Sequence, residues 1–86
     1  MKPEKVIKYP LSTEKSLRLM ESENKLIFAV DHGAKKQDIR EAIEKMFNVK
    51  VVRVNTFVSS KGQKRAYVKF SHETPAIDIA TNLGLM

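Results

Sequence analysis

Residues 49–70, VKVVRVNTFVSSKGQKRAYVKF, carry the clearest structural signal in the chain. Two runs rich in β-branched and aromatic residues, 49–58 and 65–70, flank a polar turn at 59–62. Glycine at position 62 suits the positive φ that tight turns require. Along the second run, apolar residues alternate with basic or aromatic ones, as expected when only one face of a strand is buried. The stretch therefore predicts a β-hairpin with one basic face.

The same stretch carries most of the positive charge. The chain has 16 Lys and Arg against 10 Asp and Glu, and residues 45–72 hold seven of the basic side chains and no acidic one. Such a concentration favours a polyanion as the partner. A solvated basic face that only keeps a small domain soluble is the alternative. The basic residues do not follow one face of an amphipathic helix, which argues against a membrane-surface role.

Length and composition limit the possible functions. The 86 residues predict a single domain, 1–86, with a thin core. With no long apolar run we expect an intracellular protein, and the absence of cysteine excludes disulfides and thiol chemistry. His32 and His72 each follow or precede an acidic residue in a predicted turn, but no nucleophile or phosphate-binding glycine loop accompanies them. We therefore expect no enzymatic activity, no catalytic residue, no metal site and no cofactor.

The periodicity outside the hairpin predicts two strands and three helices. The predicted elements are a strand at 6–9, a helix at 13–22, a strand at 26–30, a helix at 35–47, the hairpin strands at 49–58 and 65–70, and a helix at 75–83. The strand at 26–30 has apolar residues at both its odd and its even positions, which predicts burial on both faces. Helical spacing predicts that Leu17 and Met20 of the first helix, and Met46 and Phe47 of the second, face inward.

This order of elements also predicts the topology. Two strands joined through a helix make a right-handed crossover, and the hairpin then returns the last strand antiparallel between them. That places the strands at 25–31 and 66–71 in the centre of a mainly antiparallel four-stranded sheet, with the helix at 35–47 and the C-terminal helix on one face. Pro75 is predicted to be the first residue of the last helix and Gly84 its end. The fold class is α+β, a sandwich of two to three layers in the order β-α-β-α-β-β-α, related to ferredoxin-like folds.

The second hairpin strand has a more specific RNA-binding interpretation. Residues 66–70, AYVKF, match the last five positions of the RNA-recognition-motif consensus for its central strand. In such a module Tyr67 lies on the exposed sheet face and stacks on a base. The consensus glycine is missing from the preceding residues, 63–65, and the element order differs. Packing of Tyr67 under the first helix is therefore the alternative.

Several short motifs follow one another in a defined order and spacing. They are VIKYP at 6–10, STEK at 12–15, NKL at 24–26, VNT at 54–56, KRAYVK at 64–69 and then Ile79. Together they span nearly the whole chain and resemble the large-subunit ribosomal protein family L twenty-three in its short archaeal-like form. One departure is Phe70, where the family usually has leucine. Another is the short turn at 59–62, where bacterial relatives carry a long basic extension, so no tunnel-lining role is expected for this turn.

The resemblance implies a structural constituent of the large ribosomal subunit that binds 23S-type rRNA and lies beside the polypeptide exit tunnel. The implied location is cytoplasmic and ribosome-bound. Implied partners are this rRNA, ribosomal protein L twenty-nine, and the signal recognition particle or other targeting factors and a translocation channel, without membrane insertion or a small-molecule substrate. The docking carboxylate of the family falls on Glu14, which could instead simply stabilise the first turn of its helix.

Charge, the resemblance and the predicted hairpin together select the candidate RNA-binding residues. Basic side chains would neutralise phosphates, and small or polar residues would allow close backbone approach. The candidates are Lys8, Lys15, Arg53, Asn55, Thr56, Lys61, Gly62, Lys64, Arg65 and Lys69. Two other interpretations stay open. The chain could be a free-standing module for single-stranded RNA, or a protein-interaction domain whose basic face serves only solubility.

Overall fold

The computed structural model describes residues 3–83, in which four helices and four strands follow one another. They are α1 (Pro3–Val6), β1 (Ile7–Pro10), α2 (Glu14–Glu23), β2 (Lys25–Val30), α3 (Lys36–Phe47), β3 (Val51–Val58), β4 (Lys64–Phe70) and α4 (Ala76–Asn82). The predicted β-α-β-α-β-β-α order is confirmed from β1 onward, and the single turn α1 precedes it. No helix in this part of the chain is long and apolar enough to cross a membrane.

The four strands form one sheet in the order β1-β2-β4-β3, and every neighbouring pair is antiparallel. The hairpin strand β4 lies between β2 and β3, as predicted from the crossover. The two central strands are therefore β2 and β4, and the α+β class is confirmed. β1 is a short edge strand, where Pro10 is tolerated because its missing N–H faces no neighbour. β3 forms the other edge and begins at Val51, two residues later than predicted.

Strand register assigns the side chains to two faces. Leu26 of β2 lies opposite Val68 of β4, which lies opposite Val54 of β3, and all three are buried. Ile43 of α3 and Ile79 of α4 belong to the same buried cluster as these residues. α3 and α4 therefore contribute to one core together with the sheet. All five residues of 26–30 are buried, which confirms that β2 is covered on both faces.

The start of α2 is defined by a reciprocal cap. The Thr13 hydroxyl accepts a hydrogen bond from the Ser16 backbone N–H at 3.2 Å, and the Ser16 hydroxyl accepts one from the Thr13 N–H at 2.9 Å. These bonds satisfy two of the otherwise unpaired donors at the helix start. Ser16 and Met20, one turn apart, are the buried positions of α2. The prediction that Leu17 faces inward is wrong, because it lies about 100° around the helix from Ser16 and is 37% exposed.

The inward face of α3 is narrower than its sequence period suggests. Its buried residues are Ile39, Ala42 and Ile43, and the Phe47 ring lies against Phe28 with a centroid distance of 6.3 Å. Met46 was also predicted to face inward, but 46% of its surface is exposed. In the last turn of the helix, Phe47 takes the contact with β2 and leaves Met46 at the surface.

Asn24 connects the end of α2 to the start of α4. Its side-chain oxygen accepts a hydrogen bond from the backbone N–H of Ala76 at 2.6 Å. The helix begins at Ala76, with Pro75 in the capping position, so the predicted start is one residue too early. A distant side chain caps this helix because no capping bond from Pro75 is possible. The predicted end at Gly84 lies outside the described residues.

Candidate RNA interface

One face of the sheet is lined by polar, basic and aromatic side chains of β3 and β4. Because directly opposite residues in antiparallel strands share a face, the register defines this surface. Arg53 is opposite Lys69, Asn55 is opposite Tyr67, and Phe57 is opposite Arg65. We call this surface the basic face; it comprises Arg53, Asn55, Phe57, Arg65, Tyr67, Lys69 and, from α2, Lys15.

Two cations of the basic face lie directly opposite each other. Arg53 is exposed and Lys69 is half-buried, and neither β3 nor β4 contains an acidic residue. Like charges at opposite positions of a strand pair destabilise the sheet, and a bound anion relieves this repulsion. Lys25 is the Cα partner of Lys69 on β2, but it is paired with Glu23 at 3.2 Å. The Arg53–Lys69 pair is therefore suited to a phosphate.

Arg65 is held in place by its neighbours. Its Nε donates a hydrogen bond to the Gln63 side-chain oxygen at 2.9 Å, and the Gln63 amide donates to the Tyr9 hydroxyl on the edge strand β1. The guanidinium Nη groups make no hydrogen bond within residues 3–83 and are left for another acceptor. A guanidinium whose orientation is already set loses less entropy when it binds a phosphate. Arg65 is thus oriented in a way that suits an anion, on a central strand of the sheet.

Tyr67 lies between an aromatic ring and a cation. The Lys15 ammonium is 5.4 Å from the centre of the Tyr67 ring, and the Phe57 ring meets it edge to face at 5.0 Å between centroids. Tyr67 is half-buried, whereas Phe57 is 40% exposed. The first long helix therefore does cover part of Tyr67, as the packing alternative predicted. The same contact brings Lys15 to the basic face.

The hairpin tip extends this surface. Ser59 and Gln63 close the turn, with the Ser59 N–H donating to the Gln63 carbonyl at 2.8 Å. Gly62 has φ 81°, which confirms the positive φ predicted for it. A Cβ at this position would meet nothing within 4 Å, so the backbone conformation, not lack of space, requires glycine. Lys61 is exposed at the tip, beside this turn.

Three of the ten candidates lie away from the basic face. Lys8 is exposed on β1, at the opposite edge of the sheet and about 14 Å from β3 by strand spacing. Thr56 is opposite the buried Ala66 and so shares the helix-covered side. Lys64 donates from its Nζ to the Ala34 carbonyl at 2.6 Å and to the His32 carbonyl at 3.3 Å. Lys64 therefore ties the loop after β2 to the hairpin, with one of its three donors left over.

The candidate docking carboxylate is accessible. Glu14 is the first residue of α2, and its side chain is 81% exposed. It accepts a hydrogen bond from Arg18, one turn further along, at 2.8 Å. An exposed ion pair of this kind contributes little to stability. Glu14 can therefore exchange Arg18 for a partner at small cost.

Phe57 and Gln63 belong to the candidate site but were not predicted from the sequence. Phe57 follows Asn55 by two residues on the same strand, so strand alternation alone could have placed it beside the candidates. Gln63 also lies two residues before Arg65, but its role depends on the Tyr9 hydroxyl, 54 residues earlier in the chain. No local pattern indicates the contact with Tyr9.

A four-stranded antiparallel sheet that presents cations and aromatic rings on one face is typical of small α+β proteins that bind RNA. The family described as Ribosomal protein L23 matches residues 5–80 of the chain. A relative from Methanococcus vannielii, named Large ribosomal subunit protein uL23, is 48% identical over 80 residues, covering 93% of each chain. Proteins of the same name from Pyrobaculum aerophilum and Methanococcus aeolicus are 47% and 44% identical, over 94% and 93% of this chain and 100% and 93% of their own. The chain belongs to the ribosomal protein L23 family, which confirms the resemblance drawn from its motifs.

Proposed function

We propose that this protein is a structural constituent of the large ribosomal subunit and binds 23S-type rRNA through its basic face. The observation that carries the proposal is the Arg53–Lys69 pair beside the preorganised Arg65, on two strands without an acidic residue. Family membership supports the ribosomal context, since the relatives are named as large-subunit proteins. In that context the protein is cytoplasmic and ribosome-bound.

The arrangement supports a division of roles among the candidates. Lys15, Arg53, Arg65 and Lys69 neutralise phosphates on the basic face, and Lys61 adds a cation at the tip. Asn55 offers an amide to sugar or base edges from the same face. The Gly62 turn brings backbone close to the RNA because no side chain stands in the way. Lys8 is a separate contact at the far edge, Lys64 ties the hairpin to the loop after β2, and Thr56 lies on the other side of the sheet.

Placement beside the polypeptide exit tunnel belongs to the same proposal, together with ribosomal protein L twenty-nine as a neighbour. The exposed Glu14 at the start of α2 is the proposed contact for the signal recognition particle, other targeting factors or a translocation channel. Glu14 belongs to a different element from the strands of the basic face. RNA binding and docking can therefore be altered separately, although Lys15 follows Glu14 in sequence.

The alternatives can be weighed against these observations. A free-standing module for single-stranded RNA would leave Tyr67 open on the sheet, but Lys15 and Phe57 occupy its surroundings. Membership of a ribosomal protein family favours the ribosomal role over both this module and a protein-interaction domain with an incidental basic face.

A salt titration tests the proposal. Binding of the full chain to a large-subunit rRNA fragment from beside the tunnel exit is measured at several salt concentrations, with a folded RNA of equal length as competitor. We expect binding that survives the competitor at physiological salt, with log K falling linearly against log salt because phosphates are neutralised. Equal loss of binding to both RNAs would contradict the proposal and leave only a basic surface.

A further inference from the structure

Phe57 is the more exposed of the two aromatic residues of the basic face. The residue is 40% exposed on the edge strand β3, although burial of a phenylalanine side chain stabilises a protein. The ring is nevertheless in contact with another residue, because it meets the Tyr67 ring edge to face at a centroid distance of 5.0 Å. Tyr67 thus holds an apolar ring at the surface of a cationic sheet.

The groups around Phe57 have the chemistry of a nucleotide site. Arg65 is directly opposite Phe57 on β4, with its Nε already bound to Gln63 and its Nη groups available. Asn55 precedes Phe57 by two residues on the same face, and its side-chain amide can both donate and accept. An aromatic surface, a guanidinium and an amide correspond to the base, the phosphate and the base edge of one nucleotide.

We propose that Phe57 stacks on an unpaired base of the bound RNA, with Arg65 on the adjoining phosphate and Asn55 at the base edge. The inference rests on the proposed rRNA binding and specifies what the site selects: a bulged, looped or single-stranded nucleotide instead of a continuous helix. A base within a helix is already stacked on both sides, so it cannot be received by a ring that projects from a flat sheet. Tyr67 supports Phe57 and is not itself the stacking residue.

The test compares variants of the full chain for binding to the large-subunit rRNA fragment. Phe57→Ala is expected to weaken binding about 5- to 150-fold, the range for loss of one base–aromatic stack. Phe57→Tyr keeps the ring and is expected to bind within about twofold of the parent, whereas Phe57→Leu loses most of the affinity. Val58→Ala is the matched control, because Val58 is 59% exposed on the same strand but points to the other side. Thermal unfolding verifies that each variant is folded.

Two further readouts separate stacking from general attraction. The salt dependence of binding stays the same in Phe57→Ala, because no phosphate contact is removed. Bases are also removed one at a time at the unpaired positions of the fragment. At one of these positions, removal of the base is expected to weaken binding of the parent protein but not to weaken binding of Phe57→Ala any further. Equal affinities of Phe57→Ala and Val58→Ala, or abasic effects that simply add to the mutation at every position, would overturn the inference. If the parent itself fails against the competitor RNA, the proposed rRNA binding is overturned, and the stacking inference with it.

Discussion

Replacing Asn24 by alanine should strongly destabilise this protein, because this one side chain makes four hydrogen-bond contacts. Its amide donates to the carbonyls of Phe70 at 3.1 Å, Ser71 at 3.1 Å and Thr74 at 3.2 Å. Its oxygen accepts from the N–H of Ala76 at 2.6 Å. One side chain thereby joins the end of α2 to the end of β4 and the start of α4. Its backbone is also left-handed, with φ 55°.

The loss in free energy of unfolding can be estimated from these contacts. The amide has two N–H groups and one accepting oxygen, so three hydrogen bonds are counted for the four contacts. At about 0.5–1.5 kcal/mol net each, they contribute about 1.5–4.5 kcal/mol. A Cβ without a polar group in the left-handed region adds about 1 kcal/mol. The expected loss for Asn24→Ala is about 2.5–5.5 kcal/mol, out of a total of about 4–13 kcal/mol for a domain of this size.

Urea unfolding followed by far-ultraviolet circular dichroism measures these free energies. Asn48→Ala is the control, because Asn48 has φ 52° and ends α3 in the same left-handed conformation, without a side-chain hydrogen bond found within residues 3–83. It should lose only the backbone contribution, about 1 kcal/mol. Asn24→Gly, which removes the bonds but accepts the positive φ, should fall about 1 kcal/mol short of the loss in Asn24→Ala. Equal losses for Asn24→Ala and Asn48→Ala would refute the reasoning.

Three other predictions follow from the site. Arg65→Gln should reduce the slope of log K against log salt for rRNA binding by about 0.7–0.9. Lys64→Gln should leave this slope unchanged and lower the stability of the protein, because the Lys64 Nζ is bound to the Ala34 carbonyl. Equal slope changes would place both side chains on phosphates. Glu14→Gln should reduce recruitment of targeting factors to ribosomes, while subunit assembly continues and the free energy of unfolding changes by less than about 0.5 kcal/mol. Co-sedimentation with ribosomes measures the recruitment. Unchanged recruitment would mean that Glu14 acts only within its helix. Gly62→Ala should cost about 1 kcal/mol in urea unfolding, since only the positive φ opposes the new Cβ; a neutral result would mean that the turn relaxes.

Local patterns in the chain were sufficient to predict the strand order and most of the core. The five apolar residues at 26–30 predicted a strand covered on both sides, and the alternation at 65–70 predicted which hairpin residues face the helices. Both predictions are confirmed, because side-chain alternation and handed crossovers depend only on backbone geometry. The helix at 35–47 was predicted to within one residue of its start for the same reason.

Errors arose where a contact from another part of the chain decides the outcome. Leu17 has the periodicity of a buried residue, but the packing of α2 through Ser16 and Met20 leaves it exposed. The start of α4 depends on Asn24, 52 residues earlier in the chain, which no local capping pattern can show. Lys64 and Arg65 are neighbours in a basic run, yet the strand pleat sends one to a loop carbonyl and the other to the basic face.

The residue order alone therefore accounts for the family, the antiparallel sheet, the hairpin and the concentration of positive charge on it. These properties depend on interactions between residues close in sequence or on strand and helix periods. Only the tertiary structure decides which cations share a surface, that Lys15 joins the strands from another element, and that Phe57 is the ring left exposed beside Arg65. Register and packing bring residues together across long sequence separations, and a small domain has too little core to bury every apolar side chain that its patterns would place inside.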